Sequence, residues 1–392
     1  MPVNPWLGLI DASLEAARRT LEAMERLATG PGHAPVQAPT APWRWTNANR
    51  ITAELTTMRV RMFRNRVSCK GPAVIVVAPY ALHAATTADF AHGHSVVGAL
   101  LQAGIPKLFV TDWRTAGEEQ RYLSIDSYLA DLNALVDDVG APCALVGLCQ
   151  GGLLAAIYAA RFPRKVSRLV LAGAPLDLDA GSSALTDMIR HTPRSAVEEL
   201  ISQGHGVLRS RLVMALWPTA RSGENDIRQV LQIAQPPAGL TRRFTQWNRS
   251  LVDLPGVFYR QTVDRIFRGN AFARGQFMAM GHAVGLRDVT CPLFLLAAGQ
   301  DEIVGPGQVL AARSIASTPP HRITCCLVEG RHLSLYMGRA VLAEAWTRIA
   351  DFLLEDGSAS HDRAPRPVPA MQRRQRATGT SAAGSADRSG PP

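Results

Sequence analysis

Gly147-Leu148-Cys149-Gln150-Gly151 is the stretch on which the fold turns. It has the form G-x-C-x-G, with an apolar run at 144–148 before it and an alanine-rich apolar run at 153–160 after it. That context reads as a buried strand, a sharp turn and a helix. Such a turn holds its central residue in a strained backbone conformation, and the flanking glycines leave room where a Cβ would clash. The central side chain then stands at the carboxyl edge of a sheet, over a helix N-terminus whose dipole and free N–H groups favour a thiolate. The Gln150 N–H would face the oxyanion formed when that thiolate attacks a carbonyl. Cys149 is therefore a candidate nucleophile; the competing reading is a glycine-rich turn with an incidental buried cysteine.

Outward from this turn the chain alternates strands and helices. Strands are expected at 74–78, 108–113, 144–148 and 166–172, with helices at 96–102, 125–139 and 153–160 between them. A preceding Thr- and Val-rich stretch, 51–63, alternates as an antiparallel edge pair would. The βαβα rhythm predicts an α/β fold, a mostly parallel sheet covered by helices on both faces. The rhythm breaks at 176–290, which reads as a helical cap inserted after the sixth strand. It resumes with a strand at 293–297, a helix at 309–315, a strand at 323–328 and a last helix at 341–354. The expected organisation is an amphipathic N-terminal helix (1–30), a Pro-rich linker (31–50), a core (51–175 and 291–356), the cap, and a basic tail (357–392). The tail is nearly free of large apolar residues and is expected to be disordered.

A thiol needs a base, and the base needs an orienting carboxylate. In folds with this elbow the order along the chain is nucleophile, acid, histidine. Asp301 follows the apolar strand at 293–297, and His332 follows the strand at 323–328. Asp301 could instead be a helix N-cap, and His332 a surface histidine; Asp177, just past the strand at 166–172, competes for the acid. Glu302 is out of phase with Asp301 and is expected to face away. The loop after the strand at 74–78 should supply the second oxyanion N–H, from Tyr80 or Ala81. His83 in the same loop is a candidate substrate contact.

The chain carries 392 residues, 47% hydrophobic and 19% charged, with a net charge of +10. That is enough to bury a substantial core, and no apolar run reaches the roughly 20 residues of a membrane span. Six Arg against two Asp make the tail a disproportionate share of the positive charge. No nucleic-acid motif accompanies it, so the surface favours at most an anionic coenzyme. The six cysteines form neither a C-x-x-C metal pattern nor a disulfide framework. No metal and no cofactor are expected. The N-terminus lacks a basic start followed by an apolar stretch, so a cytoplasmic protein is expected.

Over 74–354 the chain resembles the polyhydroxyalkanoate synthases and the related intracellular depolymerases, least at 176–246. Gly147-Leu148-Cys149-Gln150-Gly151-Gly152 is similar to the lipase-like box of the short, two-subunit (class III) synthases, which also carry Gln after the cysteine. Asp112-Trp113, Ser124-Ile125-Asp126-Ser127-Tyr128, Trp247-Asn248 and Leu254-Pro255-Gly256 resemble the same family. Thr111-Asp112-Trp113-Arg114, His83-Ala84-Ala85-Thr86 and Phe258-Tyr259-Arg260-Gln261-Thr262-Val263 are closer to the depolymerases. The resemblance implies an α/β-hydrolase fold with Cys149, Asp301 and His332 as its triad. Glu302 stands where synthases usually have His, Arg331 where they have Gly, and Arg249-Ser250 where many have Asp. The implied activity is acyl transfer through an acyl-cysteine on 3-hydroxyacyl-coenzyme A. Hydrolysis of a polyester or ester, or a non-catalytic role at polyester granules, are the alternatives. The implied partners are that thioester or polyester, further copies of the chain, or a second synthase subunit.

Overall fold

The computed structural model describes residues 44–65, 71–216 and 224–355. The expected N-terminal helix, most of the Pro-rich linker, Cys69 and the basic tail lie outside them. The end of the linker is tied to the core: the backbone N–H groups of Thr46 and Asn47 donate to the buried Asp89 carboxylate at 2.8 and 2.9 Å.

Eight strands form one sheet in the order β1-β2-β4-β3-β5-β6-β7-β8. They are β1 (Arg50–Glu54), β2 (Met58–Arg64), β3 (Ala73–Val77), β4 (Lys107–Trp113), β5 (Cys143–Leu148), β6 (Val166–Ala172), β7 (Leu293–Ala298) and β8 (Ile323–Val328). β1 pairs antiparallel with β2 and β2 with β4; every later pairing is parallel. The two halves differ because a tight turn can join β1 to β2, whereas parallel strands need a crossover. The crossovers include α1 (Val96–Gln102), α2 (Ile125–Val139) and α3 (Gln150–Arg161). A last helix, Arg339–Leu354, packs Trp346, Ile349 and Leu353 into the core.

β3, β5, β6 and β7 are almost wholly buried, as helices on both faces require. The expected helix at 153–160 begins three residues earlier, at Gln150. Its glycine-rich first turn reads as loop by propensity, but it packs too closely on neighbouring backbone to admit side chains. The expected helix at 309–315 is two short pieces, Pro306–Leu310 and Ala312–Ile315.

Between β6 and β7 the chain inserts α4 (Ala184–His191), α5 (Arg194–Gln203), α6 (Ser210–Leu216), α7 (Glu224–Leu231), α8 (Ala238–Arg249) and α9 (Gly256–Gln261). α9 runs on into a wider π-type turn, Thr262–Arg268. The insertion then returns to the core. A hairpin of Phe277–Ala279 and His282–Val284 packs on α2 and α3, and Met280 N–H donates to Asp126 at 2.9 Å. No helix of the described residues is long and apolar enough to cross a membrane.

Candidate active site

β5 ends at Leu148 and α3 begins at Gln150, so Cys149 alone makes the turn. Its φ of 50° and ψ of −124° lie where non-glycine residues are rare, a strain that the surroundings must impose. They do so at several points. The Cys149 N–H donates to Ala172 O at the end of β6, at 2.9 Å, and the Cys149 carbonyl accepts from Gly152 N–H at 2.9 Å. A Cβ on Gly151 would press well inside van der Waals distance of the Val77 and Ala78 carbonyl oxygens. A Cβ on Gly147 would do the same against Gly152. The glycines are there because three backbones converge at one point.

β7 and β8 are parallel neighbours in register, Ala298 opposite Val328. Their following loops therefore leave the sheet side by side, stitched by Gly299 N–H to Val328 O at 2.8 Å and Gln300 N–H to Gly330 O at 3.0 Å. This brings together two residues 31 apart in sequence: His332 Nδ1 lies 2.7 Å from Asp301 Oδ2. Both side chains are buried, 4% and 1% exposed. Asp301 Oδ1 accepts from the N–H groups of Ile303 and Val304 at 2.9 and 2.8 Å, so the carboxylate is fully engaged as an acceptor. With Nδ1–H donated to Asp301, Nε2 is the ring nitrogen left to meet Cys149.

Burial works against charge on His332. Asp301 and Cys149, each through an electrostatic interaction and a side-chain hydrogen bond, outweigh it and raise His332 well above its ordinary value. Tyr336, one helical turn beyond, stands edge-on to the imidazole with ring centres 5.5 Å apart. Its hydroxyl donates to Ala172 O at 3.0 Å, the same carbonyl that receives the Cys149 N–H. Burial, and then the charges of Cys149 and Asp301, push Tyr336 far above the usual phenol range, so it stays a neutral donor.

A cavity of about 210 Å³ opens over the cysteine. Cys149, Gln150, Ala81, His83, Glu302, Arg331 and His332 line it, together with aliphatic and aromatic side chains of the insertion. Of the two residues expected to offer the second oxyanion N–H, Ala81 lines this cavity. The Tyr80 side chain is wholly buried elsewhere, its hydroxyl donating to Arg114 O at 3.0 Å. His83 is stacked on Trp247 at 4.5 Å, with Nε2 3.1 Å from Asn248 Oδ1. Burial pushes it down to about 4, against the opposing pull of Asn248, so it is neutral near pH 7.

One expectation changes. Glu302 does not face away: its carboxylate accepts the His332 N–H at 3.3 Å, pairs with Arg331 at 3.4 Å and lines the cavity. The reason is that the chain has already turned after Ala298, and the alternation of a strand no longer applies. Asp177 is engaged elsewhere, accepting from Asn270 Nδ2 at 2.7 Å. Nothing in the sequence marks Tyr336 for this site; only the fold brings it to the imidazole. Among the described residues, no cluster of three or more His, Cys, Asp or Glu could hold a metal ion. The other described cysteines belong to the core or its margin; burial pushes Cys143 and Cys291 up to about 12.

Residues 94–337 match the family described as alpha/beta hydrolase fold. The chain is 25% identical over 276 residues to the poly(3-hydroxyalkanoate) polymerase subunit PhaC of Allochromatium vinosum, covering 68% of this chain and 76% of that one. It is 28% identical over 236 residues to the subunit of the same name from Synechocystis sp., covering 57% and 62%. Among solved structures, a monoacylglycerol lipase of Paleococcus ferrophilus superposes with a TM-score of 0.50 at 15% identity, covering 76% of this chain and 98% of that one. That likeness is one of fold alone.

Proposed function

The chain belongs to the α/β-hydrolase fold family, and from that premise we propose that it is a polyhydroxyalkanoate synthase-like acyltransferase working through an acyl-cysteine on 3-hydroxyacyl-coenzyme A. The observation that carries this reading is the buried Asp301–His332 pair acting on a strained Cys149. The similarity to the PhaC subunits supplies the substrate class.

In the proposed cycle His332 holds the proton of Cys149, and the thiolate attacks the thioester carbonyl. The N–H groups of Gln150 and of Ala81 or Tyr80 receive the oxyanion. The C–S bond to coenzyme A breaks, and its thiolate leaves with the proton from His332. The 3-hydroxyl of a second acyl group then loses its proton to His332 and attacks the acyl-cysteine. Cys149 is released and the ester has grown by one unit. A thioester donor suits a cysteine because exchange between two thiols is nearly balanced in energy. Asp301 keeps the imidazole in the tautomer that can do this.

His83 favours a second reading. It lies in the depolymerase-like loop and also lines the cavity, and if water takes the place of the hydroxyl the same acyl-enzyme gives a free hydroxy acid. We further propose that the protein works at the polyester granule, with further copies of itself or a second subunit as its partner. Incubation with a 3-hydroxyacyl-coenzyme A separates the readings. Thiol release with insoluble polymer is expected; monomeric acid alone would sink the transferase reading. Thiol release that survives Cys149→Ala would remove the cysteine from the chemistry.

A further inference from the structure

The cavity over Cys149 has an uneven wall. Its polar groups, Cys149, Gln150 and His332 with His83, Asn248, Glu302 and Arg331, gather at one end, on the elbow, the loops after β3, β7 and β8, and one residue of α8. Most of the remaining wall is carbon. α4 presents Leu185, Met188 and Ile189, spaced to share one helix face, and Val230, Phe244 and Phe267 join them. α4 is amphipathic and so aims this face inward for packing, yet Leu185 and Met188 remain only half-buried. They border space.

From this lining and its volume we infer that the site is built for medium-chain 3-hydroxyacyl groups, about eight carbons long, rather than for the four-carbon unit. The inference rests on the acyl-cysteine reading above. An apolar cavity of roughly 150 Å³ accommodates benzene, six carbons, or about 25 Å³ per heavy atom. The cavity here measures about 210 Å³, which on that scale takes about eight heavy atoms beyond the carbonyl. A 3-hydroxyoctanoyl group has seven carbons and one hydroxyl oxygen there. A 3-hydroxybutyryl group has half as many and would leave half the apolar wall without a partner. Each methylene that moves from water onto this wall contributes about 0.8 kcal/mol, roughly fourfold in kcat/KM. Four methylenes give a preference on the order of a hundredfold.

The test uses the full chain and a series of 3-hydroxyacyl-coenzyme A thioesters of four, six, eight, ten and twelve carbons. The reading is free thiol, which reports acylation whether the acceptor is a hydroxyl or water. kcat/KM is expected to rise about fourfold per methylene up to about eight carbons and then to fall. Met188→Trp fills the wall and should raise the four-to-eight-carbon ratio of kcat/KM at least tenfold. Ile189→Phe should move the same ratio in the same direction. An optimum at four carbons, or a ratio that neither variant moves, overturns the chain-length inference while leaving the acyl-enzyme intact. Failure to release thiol from any member of the series overturns both.

Discussion

Asp301→Asn isolates what the carboxylate does for His332. Asparagine is isosteric, and its Oδ1 can still accept from the Ile303 and Val304 N–H groups, so the loop keeps its shape. What changes is the contact at 2.7 Å. An amide NH₂ would face Nδ1, which must then accept, leaving the proton on Nε2 where it cannot take one from Cys149. The loss also has an electrostatic part, because the pair is 4% and 1% exposed and water screens it little. Removing one partner of a buried pair costs the fold about 3–5 kcal/mol, and the catalytic loss adds to it. The same change in serine triads costs about 10⁴ in kcat. Thiol release from a 3-hydroxyacyl thioester should therefore fall at least a hundredfold. Stability should also change with pH in a definite direction. His332 is raised in the folded state, so its contribution is fully present below the unfolded value of 6.5 and is lost as pH rises through the folded value. Asp301→Asn should lower the urea midpoint most between pH 5 and 6.5, with the gap to wild type narrowing at higher pH. A variant within threefold of wild type in turnover would refute the assignment of Asp301 as the orienting acid. A stability gap independent of pH would refute the linkage.

Other substitutions probe the elbow, the loop and the second histidine. Gly151→Ala must displace the carbonyls of Val77 and Ala78; overpacking of this kind costs about 1–3 kcal/mol, read as a lower melting temperature together with lost thiol release. Glu302→Ala removes an acceptor from the His332 N–H and a partly exposed partner from Arg331. Such a pair is worth about 0–1 kcal/mol, so turnover should fall no more than about tenfold, and a loss as large as that of Asp301→Asn would make Glu302 part of the triad. His83 is held at about 4 in the fold against 6.5 unfolded. Acidification from pH 6.5 to 4 should therefore cost the protein on the order of 3 kcal/mol that His83→Gln does not lose; equal acid sensitivity in urea melts of the two proteins would contradict its burial as the neutral form.

The parts of this site that could be read along the chain are those where one residue type meets one strand end. β5 is an uninterrupted buried run that ends at Leu148, directly before Cys149, and Asp301 and His332 follow the ends of β7 and β8 by three and four residues. Parallel strands put all three at the same edge of the sheet. What could not be read depends on contacts across long separations or on loop geometry. Tyr336 reads as one more apolar aromatic of a short helix, and only the fold shows its hydroxyl on Ala172 O, 164 residues away. Asn248 meets His83 across 165 residues. Glu302 departs from the two-residue alternation because it lies beyond the end of β7, in a loop. The cavity could not be sized from sequence because six separate helices and turns of the insertion shape its wall.

Two histidines in one cavity show how far the environment decides the assignment. Burial disfavours the charged form of both, and it is the largest influence on each. His83 has a neutral amide for a partner, and desolvation prevails. His332 has Asp301 on one side and Cys149 on the other, and their combined interactions prevail over the same desolvation. The ring that can carry a proton at neutral pH is thus the one that meets Asp301 and Cys149, and the ring that stays neutral lies elsewhere on the cavity wall. Titratable groups driven apart in this way mark which of them moves protons. In the proposed cycle His83 would then suit hydrogen-bonding or shape recognition of the acyl group, and His332 would serve both the first attack and the deprotonation of the incoming acceptor.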